Sequence, residues 1–158
     1  MENGIIQIYY GKGIGKTSAA LGTSVRRAGK GDSVIIIPFL KGELDTDYLQ
    51  RLEPEVKTFR FERSPESFSE LSKEEQDEEK KNIMNGLAFA KKVLCTGECD
   101  LLVLDEVLGI VSEGIATEDE ILELLSAKSP LTSVILTGKE LSDGIREKAD
   151  LVMNIVAE

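Results

Sequence analysis

Tyr10-Gly11-Lys12-Gly13-Ile14-Gly15-Lys16-Thr17-Ser18, running on into Ala19-Ala20-Leu21-Gly22, is the stretch on which the reading of the whole chain turns. It follows Ile5 to Tyr10, an apolar run with the β-branched and aromatic make-up of a buried strand, and it opens Lys16 to Ala28, whose apolar spacing is helical. A glycine-rich turn between a strand and a helix N-terminus leaves backbone N–H groups able to converge on phosphate oxygens. Lys16 can then reach the β- and γ-phosphates, and the Thr17 hydroxyl can ligate Mg²⁺. The strict G-x-x-x-x-G-K-[ST] form is not met, because Tyr10 fills the first slot and the glycines fall at 11, 13 and 15. The stretch reads as a nucleoside triphosphate site, with Gly11, Lys12, Gly13, Ile14, Gly15, Lys16, Thr17 and Ser18 around the phosphates.

Such a site needs a second half on another strand. Leu101-Leu102-Val103-Leu104-Asp105-Glu106 supplies it, an apolar strand ending in two acids placed to hold the metal from the opposite side. In an ATPase the second carboxylate activates water, whereas in a transferase it can serve as a metal ligand alone, and the residues leave both roles open. Lys16 and Glu106 are the candidate catalytic groups. Thr17, Asp105 and Glu106 are the candidate Mg²⁺ ligands.

Composition narrows the chemistry further. The 158 residues hold 19 Lys plus Arg against 29 Asp plus Glu, with no His, no Trp and two Cys. Without histidine there is no Ser-His-Asp triad, no Cys-His pair and no His-ligated zinc, so acid-base work falls to carboxylates, Lys or Tyr. A net charge of −10 repels a phosphate backbone and an anionic membrane surface. No apolar run reaches membrane-span length and the N-terminus lacks a signal pattern, which makes a cytoplasmic protein the expectation. Cys95 and Cys99, in C-T-G-E-C, lack CxxC spacing and read as ordinary reduced thiols.

Short apolar runs alternate with segments of helical period, so the fold class is α/β, a P-loop fold with a mostly parallel sheet of about six strands and helices on both faces. The expected strands are Ile5 to Tyr10, Ser33 to Phe39, Val56 to Phe61, Leu101 to Asp105, Ser133 to Thr137 and Leu151 to Val156. Capping boxes at Ser72-x-x-Glu75 and Thr117-x-x-Glu120 open two helices, and a last helix is expected over Lys139 to Lys148. Residues 62–81 are densely charged with few apolar anchors, and read either as a solvated helix face or as a mobile excursion. With no internal repeat, no linker and four prolines, residues 1–158 are expected to form one domain.

The phosphate loop, the Phe39-Leu40-Lys41-Gly42 turn, the Leu-Asp-Glu strand and the Leu136-Thr137-Gly138-Lys139 turn occur in order. In this the chain resembles the ATP:corrinoid adenosyltransferase family, which adenosylates cob(I)alamin. The family's G-x-G-x-G-K-T-T-A-A loop matches Gly11, Gly13, Gly15, Lys16, Thr17, Ser18, Ala19 and Ala20, and accounts for the non-glycine at Tyr10. The resemblance implies a homodimer in which ATP lies reversed, with C5′ facing a reduced corrinoid and the whole triphosphate departing. It also implies Lys41 as a binding residue and a flavoprotein as a possible electron donor. Cobalt(I) is itself the nucleophile, so a chain without histidine suits the chemistry, leaving the protein to position C5′ and neutralise the leaving group.

Three features differ from the family pattern. Ile14 stands where the family's loop has a lysine, with Lys12 two positions earlier. No Trp is present to meet the lower face of the corrin, which leaves Phe68, with Phe61 in reserve, as the aromatic candidate beside a plain core or surface role. The chain stops at Glu158, where family members usually extend, and so reads as a short form. Two other functions remain as alternatives: a nucleotide-binding regulatory or carrier module that lost its corrinoid contacts, and a P-loop ATPase or kinase for another small substrate.

Overall fold

The computed structural model describes residues 3–40 and 47–158. Strands β1 (Ile6–Tyr10), β2 (Val34–Pro38), β3 (Val56–Thr58), β4 (Leu101–Asp105), β5 (Ser133–Gly138) and β6 (Leu151–Asn154) form one sheet in the order β3-β2-β4-β5-β1-β6. Every neighbouring pair is parallel, as the continuous apolar runs lead one to expect. The helices are α1 (Lys16–Gly29), α2 (Lys73–Thr96), α3 (Val107–Ser112), α4 (Glu118–Ser126) and α5 (Asp143–Lys148), with 3-10 turns at Asp47–Leu52 and Phe68–Glu70.

Alternation along the strands divides the core in two. Ile8, Ile37, Leu102, Leu104, Val134 and Leu136 point to one face, where they meet Ile83, Leu87 and Ala90 of α2, Leu108 of α3, Ile121 of α4 and Ile145 of α5. Tyr9, Val34, Ile36, Leu101, Val103 and Ile135 point to the other, against Ala20 of α1 and Leu49. A period of two with both faces apolar is what a sheet covered on both sides requires.

Both expected capping boxes form: Ser72 Oγ accepts from Glu75 N, Thr117 Oγ1 accepts from Glu120 N, and each glutamate answers its cap. Several boundaries differ from the sequence reading. β3 ends at Thr58, because Phe59 and Phe61 turn to pack on Phe89 of α2, with ring centroids 5.0 and 5.5 Å away. β6 ends at Asn154, since the chain beyond it follows the phosphate loop instead of the strand. The last helix begins at Asp143, where Ser142 caps it, and not at Lys139. Helix α3 has no counterpart in the sequence reading.

Residues 62–72 are anchored in the structure. Leu71 is buried, Phe68 packs against the main core, and two carboxylates, Glu62 and Glu79, are buried as well. Cys95 and Cys99 are free thiols; Cys99 is buried, which pushes its pKa up to about 12. Among the described residues no helix is long and apolar enough to cross a membrane.

Candidate functional site

The phosphate loop leaves β1 and enters α1 through residues of unusual backbone shape. Gly11 (φ 127°) and Gly15 (φ 111°) lie in the left-handed region, which costs an L side chain about 1 to 2 kcal/mol. At Gly11 a Cβ would also lie 2.4 Å from the carbonyl oxygen of Ile155, so a side chain is excluded on both counts. Gly11 N donates to Gly138 O (3.1 Å) and Gly13 N donates to Ile155 O (3.0 Å). These two amides therefore fix the loop against β5 and the segment after β6. The amides that the helix ladder does not use lie further on, ahead of Ala19 N, which makes the first i→i−4 bond to Gly15 O. Gly15 is the N-cap and offers no side chain, and α1 has no acid in its first turn, so this helix end is open to an outside anion.

Lys16 is buried, and its ammonium donates to Gly13 O at 2.8 Å, folded back over the loop. Lys12, Gly15 and Ser18 are exposed, and Ile14 is 90% exposed at the tip. The structure thus gathers Gly11 to Ser18 into the loop and the first turn of α1. Lys41, the other binding candidate, lies outside the described residues.

β5 separates β1 from β4, and it supplies the residue that joins the two halves of the site. Thr17 Oγ1 donates to both oxygens of Asp105, at 3.1 and 3.0 Å. Thr137 Oγ1, fully buried at the end of β5, donates to Asp105 Oδ1 at 2.6 Å and accepts from Glu106 N at 2.8 Å. One hydroxyl therefore sets the carboxylate of Asp105 and the backbone of Glu106. That backbone is itself left-handed (φ 62°), which turns Glu106 out of the strand and starts α3. Sequence reasoning passed over Thr137, though a hydroxyl at the end of an apolar strand in the Leu136-Thr137-Gly138-Lys139 turn was a signal that could have found it.

Thr17 and Asp105 offer hard oxygen donors of the kind Mg²⁺ takes, and Glu106 is the next carboxylate along. Among the described residues no three His, Cys, Asp or Glu side chains cluster as an all-protein metal site. A Mg²⁺ held here would take the rest of its octahedral shell from substrate phosphate oxygens and water.

Phe68 stands apart from this cluster, on the 3-10 turn before α2, half-buried against the main core. Glu62 and Glu79 went unnoticed in the sequence because nothing in a charged run tells which carboxylates turn inward. Burial pushes the Glu62 pKa up, and nearby Glu79 and Glu113 push the same way; the Leu40 amide and Arg60 oppose them.

An open helix N-terminus behind a lysine-bearing glycine turn, faced across the sheet by an acid held on a threonine, is the architecture of the P-loop class of nucleotide-binding proteins. The fold agrees: the flagellar accessory protein FlaH from Methanocaldococcus jannaschii superposes with a TM-score of 0.62 at 13% identity, over all of this chain and 75% of that one. Within that class, residues 2–158 match the family described as ATP:corrinoid adenosyltransferase BtuR/CobO/CobP, and the chain belongs to it. Its relatives include the corrinoid adenosyltransferase of Escherichia coli K12 and the corrinoid adenosyltransferase CobA of Salmonella typhimurium, each 29% identical over 98% of this chain and 77% of theirs. That of Pseudomonas aeruginosa is 29% identical over 96% of this chain and 74% of its own length.

Proposed function

We infer that the chain moves the 5′-deoxyadenosyl group of ATP onto the cobalt of a reduced corrinoid and releases triphosphate. The observation that carries this reading is the contact of Thr17 with Asp105 at the carboxyl edge of the sheet, next to the buried Lys16 of the same loop, in a chain matched to the family along its length. The cobalt(I) electron pair attacks C5′, the C5′–oxygen bond breaks, and its electrons leave on the triphosphate. No proton has to be taken from the nucleophile, which accounts for an active centre without histidine.

The protein's work is then to place C5′ and to bind a polyanion more tightly as it departs. Lys16 turns from Gly13 O to the phosphates, and the first-turn amides of α1 receive their oxygens. Thr17, Asp105 and Glu106 are the residues that would hold Mg²⁺, which would supply charge neutralisation for the triphosphate. Gly11 and Gly13 serve by shape, keeping the loop against β5 and Ile155. On the corrinoid side the reading places Phe68; it keeps Lys41 as a further binding residue, and it includes a homodimer, a flavoprotein reductant and a cytoplasmic location.

The test is an anaerobic assay of the purified chain with Mg-ATP and chemically reduced cob(I)alamin, following the visible spectrum and identifying the phosphate product. Adenosylcobalamin with free triphosphate is the expected result. ATP binding without a cobalt–carbon bond would leave a regulatory or carrier module, and release of orthophosphate would point to an ATPase or kinase.

A further inference from the structure

Three carboxylates are buried among the described residues: Asp105, Glu62 and Glu79. Burying a carboxylate is costly unless its oxygens are hydrogen-bonded, so what holds each one shows what it is for. Glu79, on α2, grips the turn ahead of that helix: Oε1 accepts from Arg63 N (3.1 Å) and Asn82 Nδ2 (2.8 Å), and Oε2 accepts from Ser64 N (3.3 Å). Glu62 points the other way. Both of its oxygens accept from Leu40 N, at 3.0 and 2.9 Å.

Leu40 is a special position. Among the described residues it and Glu106 are the non-glycine residues with positive φ, at 56° and 62°. Such a backbone costs about 1 kcal/mol or more in a residue with a Cβ, and persists only where its surroundings hold it. The two strained positions are neighbours. Phe39 N donates to Asp105 O at 2.9 Å, and a Cβ placed on Gly109 would lie 3.0 Å from Leu40 Cδ1 and 3.3 Å from Glu106 Oε2. The leucine side chain and the Glu106 carboxylate thus share one small space.

The structure assigns Glu62 as a positioning residue for the reaction: its carboxylate pins the left-handed turn at Leu40, and that turn sets the space in which the Glu106 side chain stands. Because Glu79 grips the residues next to Glu62, the segment that carries Phe68 is tied to the acid pair through one hydrogen-bonded path. The inference rests on the function proposed above for its kinetic readout.

The test compares Glu62→Ala and Glu62→Gln in the full chain, with kcat, KM for ATP and melting temperature measured on each. Glu62→Ala lowers kcat about tenfold while KM for ATP stays within about twofold, since the triphosphate loop lies on β1 and α1 and does not depend on Leu40. Glu62→Gln, whose amide oxygen still accepts from Leu40 N, recovers most of the lost rate. If folded Glu62→Ala keeps the wild-type kcat, or if Glu62→Gln is as impaired as Glu62→Ala, the assignment is overturned. Should Glu62→Ala fail to fold, Glu62→Asp takes its place: its carboxylate stops one methylene short of Leu40, so a lower kcat at unchanged KM supports the assignment and a wild-type kcat overturns it. Failure of the functional reading looks different, because then the wild-type chain itself forms no cobalt–carbon bond. In that event amide hydrogen exchange decides: at Leu40 it is about tenfold faster in Glu62→Ala than in wild type if the carboxylate pins the turn, and equal rates overturn the assignment.

Discussion

Of the connections that lead from a strand into the head of a helix, two are satisfied in opposite ways. Between β1 and α1 the turn carries three glycines, its helix has no side-chain cap, and no acid stands in the first helical turn. Between β3 and α2 there is no glycine at all, Ser72 and Glu75 form a capping box, and Glu74 and Glu75 sit in the first turn. The second connection also takes its anion from the protein, since Glu79 receives the amides of Arg63 and Ser64. Turns rich in free amides need an acceptor of negative charge. Where the chain provides one, the result is scaffold; where it withholds one, the helix end is left for a ligand.

Removing Lys16 breaks the open connection most directly. In Lys16→Ala the loop's buried ammonium is lost, and the polyanion loses the one buried side-chain cation among the described residues, so ATP affinity falls about a hundredfold or more. The fold stays, because the ammonium's bond in the structure is to one loop carbonyl, Gly13 O. Titration calorimetry with Mg-ATP beside a thermal melt checks both halves. ATP affinity near wild type would mean that the α1 end is not where the triphosphate goes.

The same contrast explains how much could be read in advance. The glycine turn, the Leu-Asp-Glu strand and both capping boxes are local patterns whose physics is complete within a few residues, and each stands where the sequence put it. Hydrophobic runs likewise located all six strands, because a strand buried on both faces has few apolar alternatives. What escaped depends on partners distant in sequence. Thr137 meets Asp105 across 32 positions, and Glu62 meets Leu40 across 22. The end of β3 was misjudged for a related reason: Phe59 and Phe61 suit a strand, but Phe89 of α2 offers them a better surface. Helix α3 was missed because its start is fixed by the left-handed Glu106, which Thr137 holds, and not by a capping residue of its own.

Thr137→Val tests whether the two halves of the open site are coupled through that hydroxyl. Valine fills the same space, yet Asp105 loses its 2.6 Å donor and Glu106 N loses its acceptor. A buried amide left unpaired costs about 1 to 3 kcal/mol, which urea denaturation will read as a lower midpoint. If the bond also aims the acid pair, kcat falls about tenfold as well, since Glu106 can relax from its strained backbone. Lost stability with unchanged kcat would make Thr137 part of the scaffold and move the boundary between the two kinds of connection.

The smallest effect sharpens the closed side. Glu62 has a pKa above its ordinary 4.5, raised first by burial and then by Glu79 on α2 and Glu113 beyond α3, against the pull of the Leu40 amide and Arg60. Its native state therefore holds a proton more readily than its unfolded state. By linkage, its contribution to stability is complete below the unfolded value and is lost as pH rises through the raised one. Other carboxylates titrate nearby, so the quantity to follow is the difference in unfolding free energy between wild type and Glu62→Gln, taken from denaturant curves across pH 4 to 8. That difference should favour wild type most at the acid end and shrink as pH rises. The opposite slope would mean that the Leu40 amide outweighs burial, so that the Glu62–Leu40 bond behaves like the phosphate-loop contacts and gains strength from full negative charge.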